Sequence, residues 1–343
     1  MTRLGIPRAL LWYQYYPMWR SFFEELGVEV VTTGPTKRSM VAAGSSRLVS
    51  ETCLPVKVFC GHVVELTEMG VDSIFIPAIK STELKVYNCS KFIGLPDIMR
   101  AVVKDLPEVI DIDVDVNQGK RTFFNMIYES GRRFHWNPFK VKAAGNRALA
   151  DYENYQRLMQ QGMFPEQAWC AVMGEPPSAA GVHLGEGASG SKEERVKIAV
   201  VGHPYNIYDT YTNHSLLQRL QGMGVDVVTA EMLTDEQKAE GVARLVGNAY
   251  WTYEAEVTGA GGYYLDDPSV DGVICVVAFG CGPDSVMTDP LQRIAKDPRT
   301  KPYMMLALDE HTGEAGLVTR LEAFVDMLRR RMRLGHYRVT HGR

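Results

Sequence analysis

The chain has 343 residues, 45% of them hydrophobic and 23% charged, which is typical of a globular protein of two or three domains. With 37 Lys and Arg against 41 Asp and Glu, the formal net charge is −4, and this argues against nucleic acid as the main partner. The apolar runs are shorter than the roughly 20 residues of a membrane-spanning helix, and the first residues lack a secretory signal pattern. We therefore expect a cytoplasmic protein without a membrane partner, whose six cysteines are thiols or metal ligands.

The predicted elements begin with a motif that occurs twice. Residues 5–31 read GIPRALLWYQYYPMWRSFFEELGVEVV, and residues 202–228 read GHPYNIYDTYTNHSLLQRLQGMGVDVV. The offset between Pro7 and Pro204 is 197 residues. Each copy predicts a short strand that ends in Gly-x-Pro, an aromatic loop, an amphipathic helix closed by a glycine, and a second strand.

A second repeated feature is an apolar strand that follows Val-Asp. Residues 70–79 read GVDSIFIPAI, and residues 269–279 read SVDGVICVVAF. Continuous apolar strands that alternate with helices suit parallel sheets covered on both faces. We therefore predict an α/β fold with two Rossmann-like lobes, related by an approximate internal repeat. Neither lobe carries GxGxxG or GxxxxGK[ST], so no phosphate-binding loop is predicted.

The middle of the chain differs from both lobes. Its apolar residues have helical spacing up to about residue 169, and a stretch rich in Gly, Ser and Pro follows. We predict an N-terminal lobe over residues 1–105, a helical insertion that packs against it over 106–173, a flexible linker over 174–195, a C-terminal lobe over 196–330 and a basic tail over 331–343.

Three cysteines lie on loops beside Pro or Gly, at the edges of apolar runs. They are Cys53 in ETCLPVK, Cys89 in YNCSKFIGLPD and Cys281 in FGCGPDS. Chains that leave parallel strands turn at one edge of the sheet, where side chains can share a crevice. The sequence has no CxxC pair, which argues against zinc ribbons, thioredoxin-like pairs and ferredoxin motifs. The pattern is typical of a metal site that the fold assembles.

The local sequence favours some cysteines over others as ligands. Cys53 precedes a helix that Pro55 opens, and a helix N-terminus stabilises a thiolate. Glycines on both sides of Cys281 permit close approach of a bulky inorganic group. Cys60 lies about 10 Å further along the helix than Cys53 by the rise per residue, which favours core packing. The remaining two cysteines, Cys170 and Cys275, are predicted core residues.

Histidines and a turn near the C-terminus complete the set of candidates. The histidines near predicted strand ends or helix starts are His62, His203, His214 and His311. Zinc accepts Cys and His together, but no HxxxH or HExxH spacing places two imidazoles on one helix face, which favours surface or supporting roles. The stretch over residues 309–324 predicts a glycine-containing turn and a helix start, and we expect an ion pair between Glu314 and Arg320 to fix this turn.

Several of these motifs together resemble a known family. The matching stretches are GIPRALLWYQYYPMW, ETCLPVK, the Cys89 loop ending in GLPD, FGCGPDS and EHTGEAGLVTRLEAF. Their order, from about Arg3 to Leu328, is similar to that of the uncharacterised proteins related to activases of 2-hydroxyacyl-CoA dehydratases, whose wider relatives include dehydratase subunits and double-cubane proteins. The resemblance implies a [4Fe-4S] cluster, in preference to a double-cubane cluster or zinc, on Cys53, Cys89 and Cys281 in a cleft between the lobes.

One departure from the family pattern concerns residues 57–62, which read KVFCGH where KxxHGH is expected. The substitution makes Cys60 a candidate fourth ligand. The resemblance also implies an anaerobic metabolism and a partner, an ATP-dependent activase or reductase with its own cluster, because the ATPase motifs are absent here. The substrate would be a small molecule or an acyl-CoA that is reduced or dehydrated. No catalytic residue is predicted.

Two other interpretations stay open. A non-catalytic two-lobed module could use its aromatic loops to bind an acyl group or another small ligand, or to dock onto a dehydratase. A zinc-dependent enzyme is the third interpretation. The sequence also leaves open a homodimer.

Overall fold

The computed structural model describes residues 1–176, 195–297 and 299–340. These residues form two compact units. The N-terminal unit holds the residues up to 176 together with Ala249–Tyr253, and the C-terminal unit holds 195–248 and the residues from Glu254 onward. The predicted linker lies mostly outside the described residues, as do the last three residues of the predicted tail. No helix in the described part of the chain is long and apolar enough to cross a membrane.

The N-terminal unit is built on a four-stranded parallel sheet. In chain order its elements are β1 Arg3–Ile6, α1 Trp12–Glu25, β2 Glu29–Thr32, α2 Arg38–Ser45, α3 Leu54–Glu68, β3 Ser73–Phe75, β4 Ala78–Ser81, α4 Ser90–Ile93, α5 Leu95–Val102, β5 Glu108–Ile110, β6 Asp113–Asp115, α6 Lys120–Arg132, α7 Pro138–Gln160 and α8 Pro165–Met173. The main sheet has the order β2-β1-β3-β5, and β4 pairs with β6 in a small parallel sheet.

The C-terminal unit contains a second four-stranded parallel sheet. Its elements are β7 Lys197–Gly202, α9 Pro204–Ile207, α10 Leu216–Gly222, β8 Asp226–Thr229, α11 Asp235–Leu245, a π-helical turn Ala255–Gly259, α12 Ala260–Asp266, β9 Gly272–Ala278, α13 Gly282–Ile294, β10 Tyr303–Leu308 and α14 Glu314–Thr340. The strand order is β10-β9-β7-β8. Every residue of β9 is buried, as expected for a parallel strand covered on both faces.

The two sheets confirm the predicted α/β fold and its internal repeat. In each, the first strand lies between the second and the third, so the strand order reverses beside the first strand. The Val-Asp motif has the same contact in both copies. The Asp72 carboxylate accepts from the Arg3 amide at 2.7 Å, and the Asp271 carboxylate accepts from the Lys197 amide at 2.7 Å. These hydrogen bonds align the third strand with the start of the first.

The region predicted as a helical insertion begins with two strands, β5 and β6. Residues 109–116 read VIDIDVDV, and this alternation is the period of a strand rather than of a helix. The helices α6, α7 and α8 follow, and α7 packs along α1. The Ser21 hydroxyl donates to the Asp151 carboxylate at 2.6 Å across that contact.

Helix α1 begins at Trp12, so the aromatic stretch predicted as a loop is helical. Its burial explains this difference, since Trp12 and Tyr16 stack on each other and both meet the edge of Trp169 on α8. Aromatic packing of this kind stabilises a helix whose own propensity is modest.

Pro17 lies inside α1 and has no amide N–H to donate to the Tyr13 carbonyl four residues earlier. The hydroxyl of Tyr155, from α7, donates to that carbonyl at 2.5 Å and is 1% exposed. A side chain 142 residues away therefore supplies the hydrogen bond that proline removes, and it fixes α7 against α1.

Replacing Tyr155 by Phe should destabilise the protein by about 1–3 kcal/mol, because it removes a buried donor without changing the packed volume. Chemical denaturation followed by circular dichroism measures this loss. The matched variant Tyr128→Phe on α6 should change the free energy of unfolding by less than about 0.5 kcal/mol. Equal effects of the two substitutions would contradict the role given to the Tyr155 hydroxyl.

Candidate cysteine site

The three cysteines predicted as ligands share one structural position. Each is the residue that precedes the first turn of a helix, with an extended backbone: Cys53 before α3, Cys89 before α4 and Cys281 before α13. Each is half-buried, whereas Cys60, Cys170 and Cys275 are buried. At a helix N-terminus the unsatisfied backbone amides and the helix dipole favour a thiolate.

Cys53 is held by helix α3, which is buried along most of its length. Helix α2 crosses α3 so closely that a Cβ at Gly61 would lie 2.1 Å from the Met40 carbonyl oxygen, and glycine is required there. One turn into α3, the buried Lys57 donates through Nζ to the Ser50 carbonyl at 2.9 Å. The loop before Cys53 is thereby fixed, and a positive charge lies one helical turn from its thiol.

Cys89 ends the loop that follows β4. The adjacent Asn88 amide donates to the Lys80 carbonyl at 2.7 Å. The segment Ala249–Tyr253 lies along this loop, where the Thr252 amide donates to the Tyr87 carbonyl at 3.2 Å. The loop that carries Cys89 therefore depends on a piece of chain that is distant in sequence.

Cys281 lies on the tight turn between β9 and α13. Its amide donates to the Ala278 carbonyl at 3.1 Å, and the Ser285 hydroxyl donates to the Cys281 carbonyl at 2.9 Å. The Asp284 carboxylate accepts from the Ala278 amide at 3.0 Å. A Cβ added at Gly282 would meet no atom within 4 Å, so the space beside Cys281 is open.

The structure places the other cysteines in the cores. Cys60 is 0% exposed in α3, and burial raises the pKa of its thiol to about 11. Burial also raises the pKa of Cys275, on β9, to about 12. Within either unit, the described residues contain no group of three His, Cys, Asp or Glu side chains arranged to hold a metal ion. Cys53 and Cys89 belong to the N-terminal unit and Cys281 to the C-terminal unit.

In metal-free native protein, iodoacetamide should modify Cys53, Cys89 and Cys281 well before the other three cysteines. The buried thiols react slowly because a thiol of pKa about 11 is thiolate in only roughly one molecule per thousand at pH 8. Timed alkylation followed by peptide mass spectrometry gives each rate, and unfolding in guanidinium should make all six rates similar. Fast labelling of Cys60 or Cys275 in the native protein would contradict the assignment.

His62 is wholly buried and is held by two threonines. Its Nδ1 lies 2.6 Å from the Thr33 hydroxyl and its Nε2 lies 2.8 Å from the Thr36 hydroxyl. Burial, together with Arg8 and Lys37, lowers the pKa of His62 to about 3. The neutral imidazole therefore ties α3 to the loop after β2. Its burial rules out the surface role that the sequence allowed.

The free energy of unfolding should depend on pH through His62. Because its pKa is about 3 in the folded state and about 6.5 in an unfolded chain, its contribution is complete above pH 6.5 and is lost as the pH falls towards 3. Between pH 7.5 and 5 the loss is about 2 kcal/mol. Denaturation curves of the natural protein and His62→Gln test this, and an equally steep pH dependence in His62→Gln would contradict it.

The other histidines of the zinc interpretation also have protein partners or lie at the surface. The His203 Nε2 lies 2.9 Å from the Asp284 carboxylate, and the His214 Nε2 lies 2.8 Å from the Thr312 carbonyl. His311 is exposed. These contacts favour structural roles over zinc ligation.

The expected ion pair between Glu314 and Arg320 is wrong. Glu314 pairs instead with Arg219 on α10, and Arg320 donates to the Met305 carbonyl at 2.6 Å. Residues six apart do not face each other on a helix, which is why the local pair does not form. The Arg219 contact instead ties the start of α14 to α10.

A small cavity lies where the strand order reverses in the N-terminal sheet. It measures about 20 Å³, room for about one water molecule, and apolar side chains line it, among them Ile6 and Pro7 after β1 and Phe75 and Pro77 at the end of β3. At this point the N-terminal crevice is therefore lined by apolar side chains and is narrow.

A comparison with known protein families found a match over most of the chain. The family model described as the CoA enzyme activase uncharacterised domain (DUF2229) matches residues 3–233. The match includes the whole sheet of the N-terminal unit and the first two strands of the C-terminal unit. It covers more than half of the chain, so this chain belongs to that family. Cys53 and Cys89 lie inside the matched region, and Cys281 lies beyond it. A search of curated proteins found no match.

Proposed function

We propose that this protein binds a [4Fe-4S] cluster through Cys53, Cys89 and Cys281 and accepts low-potential electrons for the reduction or dehydration of a small substrate or an acyl-CoA. The observation that carries the proposal is the shared position of these cysteines, each half-buried at a helix N-terminus. Membership of a family named for activation of CoA enzymes supports the link to acyl-CoA chemistry.

The donor set fits such a cluster. Thiolates are the usual ligands of iron–sulfur clusters, and backbone N–H groups around the sulfurs tune them. A Cβ added at the neighbouring Gly282 would meet no atom within 4 Å, so the protein does not pack against the chain at that point. When bound, the cluster would supply one-electron chemistry. The three cysteines would hold it. A fourth ligand is not assigned, since Cys60 is buried within α3.

The electron donor in this proposal is a separate protein. Neither predicted lobe has a GxxxxGK[ST] or GxGxxG motif, and the GxGxxG match at residues 185–190 lies in the predicted linker. The lobes therefore lack the phosphate-binding loop that would let the protein use ATP itself. A partner that hydrolyses ATP and carries its own cluster would drive the low-potential step. This chain is then the accepting component, and a CoA-dependent dehydratase or a related acyl-CoA enzyme is the expected setting.

Protein purified without oxygen and reconstituted with iron and sulfide should contain about four of each per chain. Changing Cys53, Cys89 or Cys281 singly to Ala should each lower both contents severalfold, because a missing thiolate exposes the cluster to loss. Colorimetric iron and sulfide assays measure both, beside metal analysis for zinc.

Cys170→Ala is the control. Because Cys170 is buried on α8, this substitution should leave the iron content unchanged. Loss of iron in Cys170→Ala alone, or stoichiometric zinc without iron, would contradict the proposal. Protein without any metal whose acyl-CoA binding survives all three substitutions would favour a non-catalytic binding module.

A further inference from the structure

The two repeats differ in chemistry at one corresponding position. Gly-x-Pro at the end of the first strand reads Gly5-Ile6-Pro7 in the N-terminal unit and Gly202-His203-Pro204 in the C-terminal unit. Ile6 is buried and lines the apolar cavity. His203 is also buried, at 4% exposed, but it faces the carboxylate of Asp284, which is 2% exposed. One fold therefore has an apolar contact at this point in one unit and a buried histidine–carboxylate pair in the other.

The Asp284 carboxylate closes the turn that carries Cys281. One oxygen accepts from the Ala278 amide at 3.0 Å, at the end of β9. The other lies 2.9 Å from the His203 Nε2, at the end of the neighbouring strand β7. Asp284 itself is the third residue of α13, the helix that Cys281 precedes. The carboxylate thus joins both ends of the turn and anchors it to the adjacent strand.

The charges around His203 favour its protonated form. Burial lowers the pKa of His203, but the charge and hydrogen bond of Asp284, together with Glu256, raise it, and the net direction is upward. Glu256 lies in the π-helical turn, a rare feature that is frequent at functional sites. The raised pKa and the 2.9 Å contact with Asp284 both favour a protonated imidazole beside the carboxylate that closes the Cys281 turn.

Stability alone does not explain this pair. Replacing a buried ion pair by packed hydrophobic residues is often neutral or stabilising, whereas breaking one by removing a single partner is costly. The N-terminal unit shows that an isoleucine fills the same position in this fold. A buried pair at the end of β7 and β9 is thus better explained by the turn that it holds.

We infer that His203 and Asp284 form a positioning pair that fixes Cys281 at the edge of the C-terminal sheet and sets the charge beside it. Asp284 acts on the turn directly, and His203 acts through Asp284. The inferred effect on charge rests on the proposed cluster, whereas the inferred effect on the position of Cys281 does not.

The positioning role is tested in metal-free protein. The quantity measured is the alkylation rate of Cys281 divided by that of Cys89, which lies in the other unit and is the internal reference. Replacing both partners, His203→Ile with Asp284→Leu, should lower the melting temperature by several degrees, because the buried Ala278 amide loses its acceptor. It should also raise this ratio at least about fivefold, because the turn loses the hydrogen bond that closes it. Asp289→Asn, on the exposed face of α13, is the control and should leave the ratio unchanged.

The effect of the pair on the charge beside Cys281 is tested in reconstituted protein, by measuring the reduction potential of the cluster. Asp284→Asn removes a negative charge and should raise the potential, whereas His203→Gln removes a positive charge and should lower it. A pair with a purely structural role would not shift the reduction potential in opposite directions in the two variants.

An unchanged alkylation ratio in the double variant overturns the positioning role. Shifts of the reduction potential in the same direction in both single variants overturn the charge role. If no variant and no natural protein takes up iron, the proposed function fails, while the alkylation ratio still decides the positioning role.

Discussion

The proposed site depends on where helices begin, because each of its three cysteines is the residue that precedes a helix. In parallel sheets every strand-to-helix turn falls at the same edge, so the fold collects backbone amides and helix dipoles there. Cys281 lies on such a turn, between β9 and α13. Cys53 follows helix α2 and a loop, and Cys89 follows a loop after β4, but each is also the residue before a helix. The arrangement makes three thiols of ordinary sequence context into candidate thiolate ligands, while the cysteines inside strands and helices stay buried.

The protein has two sheets with one topology and two different crevices. The point at which the strand order reverses is where open α/β sheets bind ligands. In the N-terminal unit apolar side chains fill this point, and the cavity that remains has room for about one water molecule. In the C-terminal unit it holds the buried His203 and Asp284. The chemistry has diverged while the hydrogen bonds that align the strands, such as those of Asp72 and Asp271, are the same.

Features with a local cause could be predicted from the sequence, and features with a distant partner could not. Apolar runs and glycines predicted the strands and the repeat, and Pro55 predicted that Cys53 precedes a helix. The alternation in residues 109–116 was a strand signal that the helical interpretation missed. Helix α1 includes Pro17 because Tyr155 is placed against it by the fold, and Glu314 finds Arg219 for the same reason. His62 is flanked by apolar residues, which was a signal of burial, but its two threonine partners could not be identified from spacing.

The central claim is that Cys53, Cys89 and Cys281 bind a [4Fe-4S] cluster. The most direct test is the low-temperature EPR spectrum of protein that has been reconstituted without oxygen and reduced with dithionite. We expect the signal of a reduced cubane with an intensity that matches the measured iron content. A spectrum without such a signal, from protein that is folded and was given iron and sulfide under these conditions, would contradict the account.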